Sequence, residues 1–155
     1  MTEIRLFLKG DEKACSSLLD EAFGWYFRLP GSQWMRRKIS AESILETSKD
    51  GITLVAVELG RIEGYAHAAI SDYGVAYLST IGVSPSSESK GIGTMLLKGL
   101  EERCRQKGIR KIWLMVTHIN SRAVSFYIRN GYEIEGLLKD MTVEGAHEIV
   151  MSKHL

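Results

Sequence analysis

Ile81 to Cys104 reads IGVSPSSESKGIGTMLLKGLEERC. An apolar segment stops at Pro85 and a serine-rich loop follows. Gly91-Ile92-Gly93 then opens a run in which Ile92, Met95, Leu96, Leu100 and Cys104 recur at helical spacing. Lys98, Glu101, Glu102 and Arg105 fall on the other side and predict a solvated face. A strand therefore passes into a helix through a glycine turn. Such a junction presents unpaired backbone N–H groups and about half a positive charge, which suits a phosphate or pyrophosphate. Lys90 adds a full charge, and Gly91 and Gly93 let backbone approach an anion without a Cβ in the way and allow positive φ. A lone Gly-x-Gly more often only shapes a tight turn, so the rest of the chain must decide.

Two familiar phosphate loops lack their parts. No Gly-Lys-Ser/Thr is present, and Leu96 stands where a dinucleotide fingerprint needs its third small residue.

Working outward, Glu3 to Leu8 reads as an opening strand. Asp11 can cap a helix carrying Ala14, Cys15, Leu18, Leu19, Ala22 and Phe23. Trp25 to Trp34 is aromatic-rich and broken by Pro30-Gly31, with a second helix from about Ser40 to Thr47. Ile52 to Glu58, Ile62 to Ile70 and Val75 to Val83 are separated by Gly60-Arg61 and Asp72-Tyr73-Gly74, the pattern of a three-stranded meander. After the quoted helix, which stops near Gly108, Ile112 to Thr117 is a strand. Asn120 or Ser121 caps a helix with Ala123, Phe126 and Tyr127, and Asn130-Gly131 supplies its left-handed end. Short strands near Tyr132 to Leu137 and Glu148 to His154 complete the order. A meander combined with one parallel crossover predicts an α+β domain around a mixed sheet.

The 155 residues suit one domain, 1–155, able to bury about 68% of its unfolded surface. A net charge of +1 provides no field for nucleic acid or a membrane surface. No apolar run has the length of a signal core or a membrane span, so the expected location is the cytoplasm. Cys15 and Cys104 lack metal-ligand spacing, fall on helical apolar stripes and read as buried small hydrophobes; no metal site is expected.

Two blocks then carry a resemblance. Val83-x-Pro85 leads through a loop to Lys90-Gly91-Ile92-Gly93-Thr94, and one strand later comes Asn120-x-x-Ala123-x-x-Phe126-Tyr127-x-x-Asn130-Gly131-Tyr132. This resembles the GCN5-related N-acetyltransferase (GNAT) superfamily over about residues 75 to 137. The resemblance implies an αβα-layered fold whose mixed, mostly antiparallel sheet splays to form an acyl-CoA cleft. It implies acetyl-CoA as cofactor, released as CoA, with the pyrophosphate on Ser89, Lys90, Gly91, Ile92, Gly93 and Thr94. The backbone of Ile81 and Val83 would pair with the pantetheine arm as a missing strand does, Asn120 would contact that arm, and Tyr127 would protonate the leaving sulfur. The sequence departs from the pattern at Glu88, where the family usually has Arg or Gln, and at Ser89, where glycine is common. A carboxylate beside a pyrophosphate repels it unless it turns away.

The chemistry so implied needs a base for an amine of pKa about 10 and an acid for a thiolate of pKa about 8.5. A backbone N–H at Val83 could act as oxyanion donor. Tyr127 lies seven residues after Asn120, two helical turns along and on the same side. Capping alone explains Asn120 as well. For the base, Tyr77 is the expectation, acting directly or through water; His67 and His118 compete, and Met115 occupies the place of a glutamate some members use. Trp25, Tyr26, Phe27, Arg28, Trp34, Arg36 and Arg37 crowd the acceptor region and read either as recognition or, more readily, as packing with solvated charge. The expectation is N-acetylation of a primary amine on a small molecule or a peptide N-terminus by direct attack in a ternary complex. The alternatives are an acyl-CoA sensor or regulatory module that transfers nothing, and a nucleotide binder, which the absent metal-binding signature disfavours. The partner is an amine acceptor, and the resemblance also allows a homodimer.

Overall fold

In a computed structural model describing residues 1–155, the order is β1 (Thr2–Leu6), α1 (Glu12–Ala22), α2 (Gln33–Lys38), α3 (Ala41–Thr47), β2 (Ile52–Glu58), β3 (Arg61–Ile70), β4 (Val75–Val83), α4 (Ile92–Gln106), β5 (Lys111–Thr117), α5 (Ser121–Arg129), β6 (Glu133–Val143) and β7 (Ala146–His154). All seven strands form one sheet, β1-β2-β3-β4-β5-β7-β6. Only β4 and β5 are parallel, and their pairing stops after Val75–Lys111, Ala76–Ile112 and Tyr77–Trp113. Beyond Tyr77 the two strands separate, splitting an otherwise antiparallel sheet.

Each face of the sheet is covered. Leu96, Leu97, Leu100 and Cys104 of α4 pack with Leu54, Ala56, Ala66, Ala68, Ile112 and Leu114, while Cys15, Leu18, Leu19 and Ile44 pack with Val55 and Tyr65. The alternation of Leu54 and Ala56 with Val55 places successive residues on opposite faces. Beneath α4 the strands are lined by small residues because the helix lies close: a Cβ on Gly64 would stand 2.8 Å from Leu96 Cδ1.

Four expectations need correction. A helix that the sequence reading did not include, α2, runs from Gln33 to Lys38 between the aromatic segment and the expected helix near Ser40. Asp11 precedes α1 without capping it: its carboxylate accepts from Arg5 at 2.7 and 3.1 Å and from the Leu8 N–H at 2.8 Å, a charged partner outcompeting the helix end. On α4, Met95 is exposed, Leu97 is buried, and Glu101 is buried rather than solvated. Lys153 Nζ at 3.0 Å and the Tyr132 hydroxyl at 3.3 Å gather on that carboxylate. The last two strands extend to an eleven- and a nine-residue hairpin.

Candidate active site

The separation of β4 from β5 opens a cleft of about 860 Å³ lined by both strands, the loop before α4, α5 and α2. The β4 wall bends at a bulge: Ala68 pairs with Leu78 and His67 with Thr80, leaving Ser79 as the extra residue. The Ser84 N–H reaches the Glu63 carbonyl at 2.9 Å on the β3 side. By the two-residue alternation of an antiparallel ladder, Gly82 and Thr80 also face β3, and the backbone groups of Val83 and Ile81 face the opening.

At one end of the cleft stands the start of α4. Its first backbone bond runs from the Met95 N–H to the Gly91 carbonyl at 3.0 Å, so the preceding amides of the first turn remain available. Gly91 holds φ +81°, and a Cβ built there meets nothing within 4 Å, so its requirement is conformational. Gly93 serves differently. A Cβ there would lie 3.3 Å from the Phe126 ring, so this glycine lets α5 approach α4 and has no positive φ.

Ser89, Gly91, Ile92, Gly93 and Thr94 line the cleft; Lys90 does not. Its ammonium turns toward Glu58 on β2, 3.5 Å away, leaving only its backbone in the loop. The charge expected from Lys90 arrives instead from Arg122. Its guanidinium donates to Glu88 at 2.9 Å and approaches Ser89 Oγ at 3.5 Å. Glu88 is thereby paired rather than facing an anion alone. A cation two residues into a helix opposes the macrodipole, and that misfit was the available sequence signal for Arg122.

Asn120 caps α5, its Oδ1 accepting from the Ala123 N–H at 3.2 Å, which leaves its amide NH₂ for a ligand. Tyr127, 7% exposed, lies in the cleft between Phe126 and Tyr132 with ring centroids 5.2 and 5.7 Å away. Burial, and secondarily the nearby Tyr77 hydroxyl, holds its proton more firmly than in an ordinary phenol. Tyr77 stacks on Trp113 at 4.4 Å, and burial and then the Glu148 carboxylate raise its pKa as well. Both phenols are thus kept as proton carriers, and Tyr77 is poorly suited to remove a proton directly.

His67 leaves the contest for the base. It is 3% exposed, its Nδ1 is 2.8 Å from Thr53 Oγ1, and burial followed by the Lys38 charge pulls its pKa down to about 4. His118 stacks on His147 at 5.1 Å, its Nδ1 accepting from the His147 N–H at 3.0 Å, and neither lines the cleft. Met115 lies on the cleft wall.

The acceptor half brings together residues the sequence did not single out. Glu148 of β7 stands opposite Thr117 of β5 and is 5% exposed. Thr142 Oγ1 donates to it at 2.7 Å. With that proton committed, the Tyr26 hydroxyl is the donor in its 3.3 Å bond to Thr142. Lys38, at the end of α2, reaches the Ser79 carbonyl at 2.6 Å, and burial lowers its pKa to about 8. A glutamate opposite an inward threonine was legible as a burial pattern only, and Lys38 became visible once α2 was known. The aromatic cluster divides: Trp25, Tyr26 and Trp34 face the cleft, whereas Arg36 lies 4.0 Å over Phe27 and pairs with Asp20 at 3.0 Å on the surface.

Residues 16–132 match the Acetyltransferase (GNAT) family. The chain belongs to the GNAT acetyltransferase family. Streptothricin acetyltransferase of Streptomyces lavendulae is 32% identical over 109 residues, 66% of this chain and 58% of that protein. Spermidine N(1)-acetyltransferase of Thermoplasma acidophilum is 31% identical over 108 residues, 66% of each. The PaiA N-acetyltransferase of Thermoplasma acidophilum, solved in complex with coenzyme A, superimposes with a TM-score of 0.86 at 26% identity over 100% of this chain and 99% of that one. This GNAT chain thus spans less than two thirds of the length of the streptothricin enzyme. No helix in it is long and apolar enough to cross a membrane.

The residues present fit acetyl-CoA. Free amides and a left-handed glycine at the start of α4 form the cradle a pyrophosphate needs, and the open edge of β4 presents strand-like backbone to an amide-bearing arm.

Proposed function

We propose that this chain transfers the acetyl group of acetyl-CoA to a primary amine by direct attack in a ternary complex. The observation that carries the reading is the split between β4 and β5, which places the α4 N-terminus, the free β4 edge, Tyr127 and Glu148 on one cleft. The names of the streptothricin and spermidine N(1) relatives, one of which specifies a nitrogen acceptor, support it.

Acetyl-CoA supplies an activated acyl group on a thiol leaving group. The amides from Ser89 to Thr94 hold the pyrophosphate, with Arg122 beside them. The outward backbone of Ile81 and Val83 pairs with the pantetheine arm, and the Asn120 side-chain NH₂ donates to it. The Val83 N–H, on the open side of β4, would stabilise charge on the thioester oxygen. An acceptor arriving as an ammonium gives one proton to Glu148, directly or through Tyr77 and water. Its nitrogen bonds to the acyl carbon, the C–S bond breaks, the sulfur takes the Tyr127 proton, the second amine proton returns to Tyr127, and Glu148 gives up its proton to solvent. The balance is amide, CoA thiol and one proton released. Tyr77 positions and relays here rather than serving as the ultimate base.

Direct attack is favoured because no thiol is available to carry the acyl group. Cys15 and Cys104 are both fully buried, away from the cleft, and burial pushes their thiols up to about 12 and about 11. The test is initial-rate kinetics of thiol release with acetyl-CoA and an amine series. Intersecting reciprocal plots are expected; parallel plots would replace direct attack with a covalent acyl-protein. Absence of thiol release with every amine would overturn the acetyl-transfer reading itself.

A further inference from the structure

Two opposite charges in the acceptor half of the cleft have no counter-charge in the protein. The buried carboxylates of this chain are Glu63, Glu101 and Glu148. Glu101 is met by Lys153 at 3.0 Å, and Glu63 by Arg61 at 3.9 Å and by the Ser87 hydroxyl at 2.9 Å. Glu148 is met by no cation, only by the Thr142 hydroxyl at 2.7 Å on one of its two oxygens. Across from it, the Lys38 ammonium has one hydrogen bond, to the Ser79 carbonyl at 2.6 Å, and no carboxylate within salt-bridge distance. One neutral hydrogen bond does not offset the loss of hydration of an ammonium or a carboxylate.

The two charges stand on different walls. Lys38 is held against β4 at the bulge, while Glu148 belongs to the β5–β7 side beyond the point where β4 and β5 part. Both side chains line the same cleft. The Lys38 ammonium lies 5.9 Å from the Trp34 ring centroid, while the buried Trp34 indole N–H turns toward the Tyr26 hydroxyl without completing a hydrogen bond. An ammonium has three N–H donors, and with only one engaged Lys38 keeps the capacity to bind a carboxylate. Beside Glu148, the Thr117 hydroxyl is likewise buried and unpartnered, and it too lines the cleft.

We infer that the acceptor is a zwitterion, an amine that also bears a carboxylate, with its ammonium seated at Glu148 and its carboxylate at Lys38. This rests on the acetyl-transfer reading and adds the class of acceptor to it. Each of the two charges then acquires its partner from the substrate, and the separation of the two walls selects the length between the two groups. The depressed pKa of Lys38 fits a cation awaiting an anion. A substrate with a second ammonium in place of the carboxylate would meet like charge at Lys38, so the site discriminates against simple diamines.

The test uses ω-amino acids of increasing chain length, each beside its neutral amide and the diamine of equal length. Binding to the protein saturated with CoA is measured by calorimetry, and turnover with acetyl-CoA by thiol release. At the best length the acid should exceed its amide about ten-fold or more in affinity and in kcat/KM, and exceed the diamine further. Lys38→Met should close the gap between acid and amide, and Lys38→Glu should reverse the preference toward the diamine. Equal affinity of acid and amide at every length, or a preference for the diamine by the wild-type chain, would overturn the inference while acetyl transfer stands. Acid-selective binding without acetylation of any acceptor would leave the zwitterion site in place and remove the transfer reading instead.

Discussion

The Glu88 carboxylate and the Arg122 guanidinium meet at 2.9 Å across the mouth of the cleft, joining the loop before α4 to the first turn of α5. A residue that in isolation repels a pyrophosphate therefore anchors an arginine beside the amides expected to hold it. The pair is solvent-exposed, so its contribution to folding is small, at most about 1 kcal/mol. Its consequence belongs to cofactor binding. Arg122→Ala removes the cation and leaves Glu88 unpaired, and acetyl-CoA affinity should fall about five- to ten-fold. Glu88→Ala should change affinity little, and the double variant should recover part of the loss. Titration calorimetry of the three variants decides the matter, and wild-type affinity in Arg122→Ala would remove this role.

Tyr127→Phe deletes one buried oxygen that lies near Tyr77 and makes no hydrogen bond to the protein. Folding stability should therefore change by less than about 1 kcal/mol, since no intramolecular bond is lost. Turnover should fall by about ten-fold to ten-thousand-fold with acetyl-CoA affinity near wild type. Unchanged kcat would mean that the leaving sulfur takes its proton from elsewhere.

The pH dependence of stability has a defined sign at His67. Its folded pKa of about 4 lies below the ordinary 6.5, so between those values the unfolded chain binds a proton that the folded chain refuses. Stability is full above about pH 6.5 and declines as pH falls toward 4, by about 3 kcal/mol in total from this group. Urea unfolding at a series of pH values should show that decline, and His67→Gln should flatten it. An equal slope in the variant would assign acid sensitivity to other groups.

Much of this fold was legible because its elements are set by local chemistry. The start of α4 after the glycine turn, the Asn120 cap and the Gly60-Arg61 and Asp72-Tyr73-Gly74 turns are set over a few residues, and all appear where the pattern put them. What escaped depends on contacts far apart in the chain. Glu101 is buried because Lys153 lies 52 residues away in sequence, and Lys90 leaves the cleft because Glu58 on β2 attracts it. The acceptor half is the extreme case. Lys38 sits on a six-residue helix too short to register as a period, and Glu148 occupies a strand position whose neighbours suggest only burial.

The same argument gives Lys38 a thermodynamic signature independent of any acceptor. A lysine whose pKa is lowered to about 8 costs the folded state free energy at neutral pH, and that cost disappears as pH rises from 8 through the ordinary value of 10.5. Lys38→Met replaces the cation with an apolar chain of similar length. It gives up one bond to the Ser79 carbonyl, worth about 1 kcal/mol, and relieves a larger desolvation cost. The variant should be more stable than wild type at pH 7 by about 1–2 kcal/mol, with the gap closing at higher pH, while losing selectivity for the acceptor. Thermal unfolding that shows Lys38→Met to be destabilised at pH 7 would make the lysine a structural support.

Gly91 and Gly93, two residues apart, predict opposite responses to one added methyl group. Gly91→Ala meets no atom but must hold φ +81°, which costs about 1–2 kcal/mol of backbone strain and disturbs the amides of the cradle. Its defect should appear mainly as weaker acetyl-CoA binding. Gly93→Ala carries no such strain; its methyl group would lie 3.3 Å from the Phe126 ring and press on α5, the helix that carries Tyr127. Its defect should appear mainly in kcat, with acetyl-CoA affinity changed less, and Phe126→Leu in the Gly93→Ala background should restore part of the rate by making room. A Gly93→Ala enzyme with normal kcat would show that α5 yields without moving the Tyr127 hydroxyl.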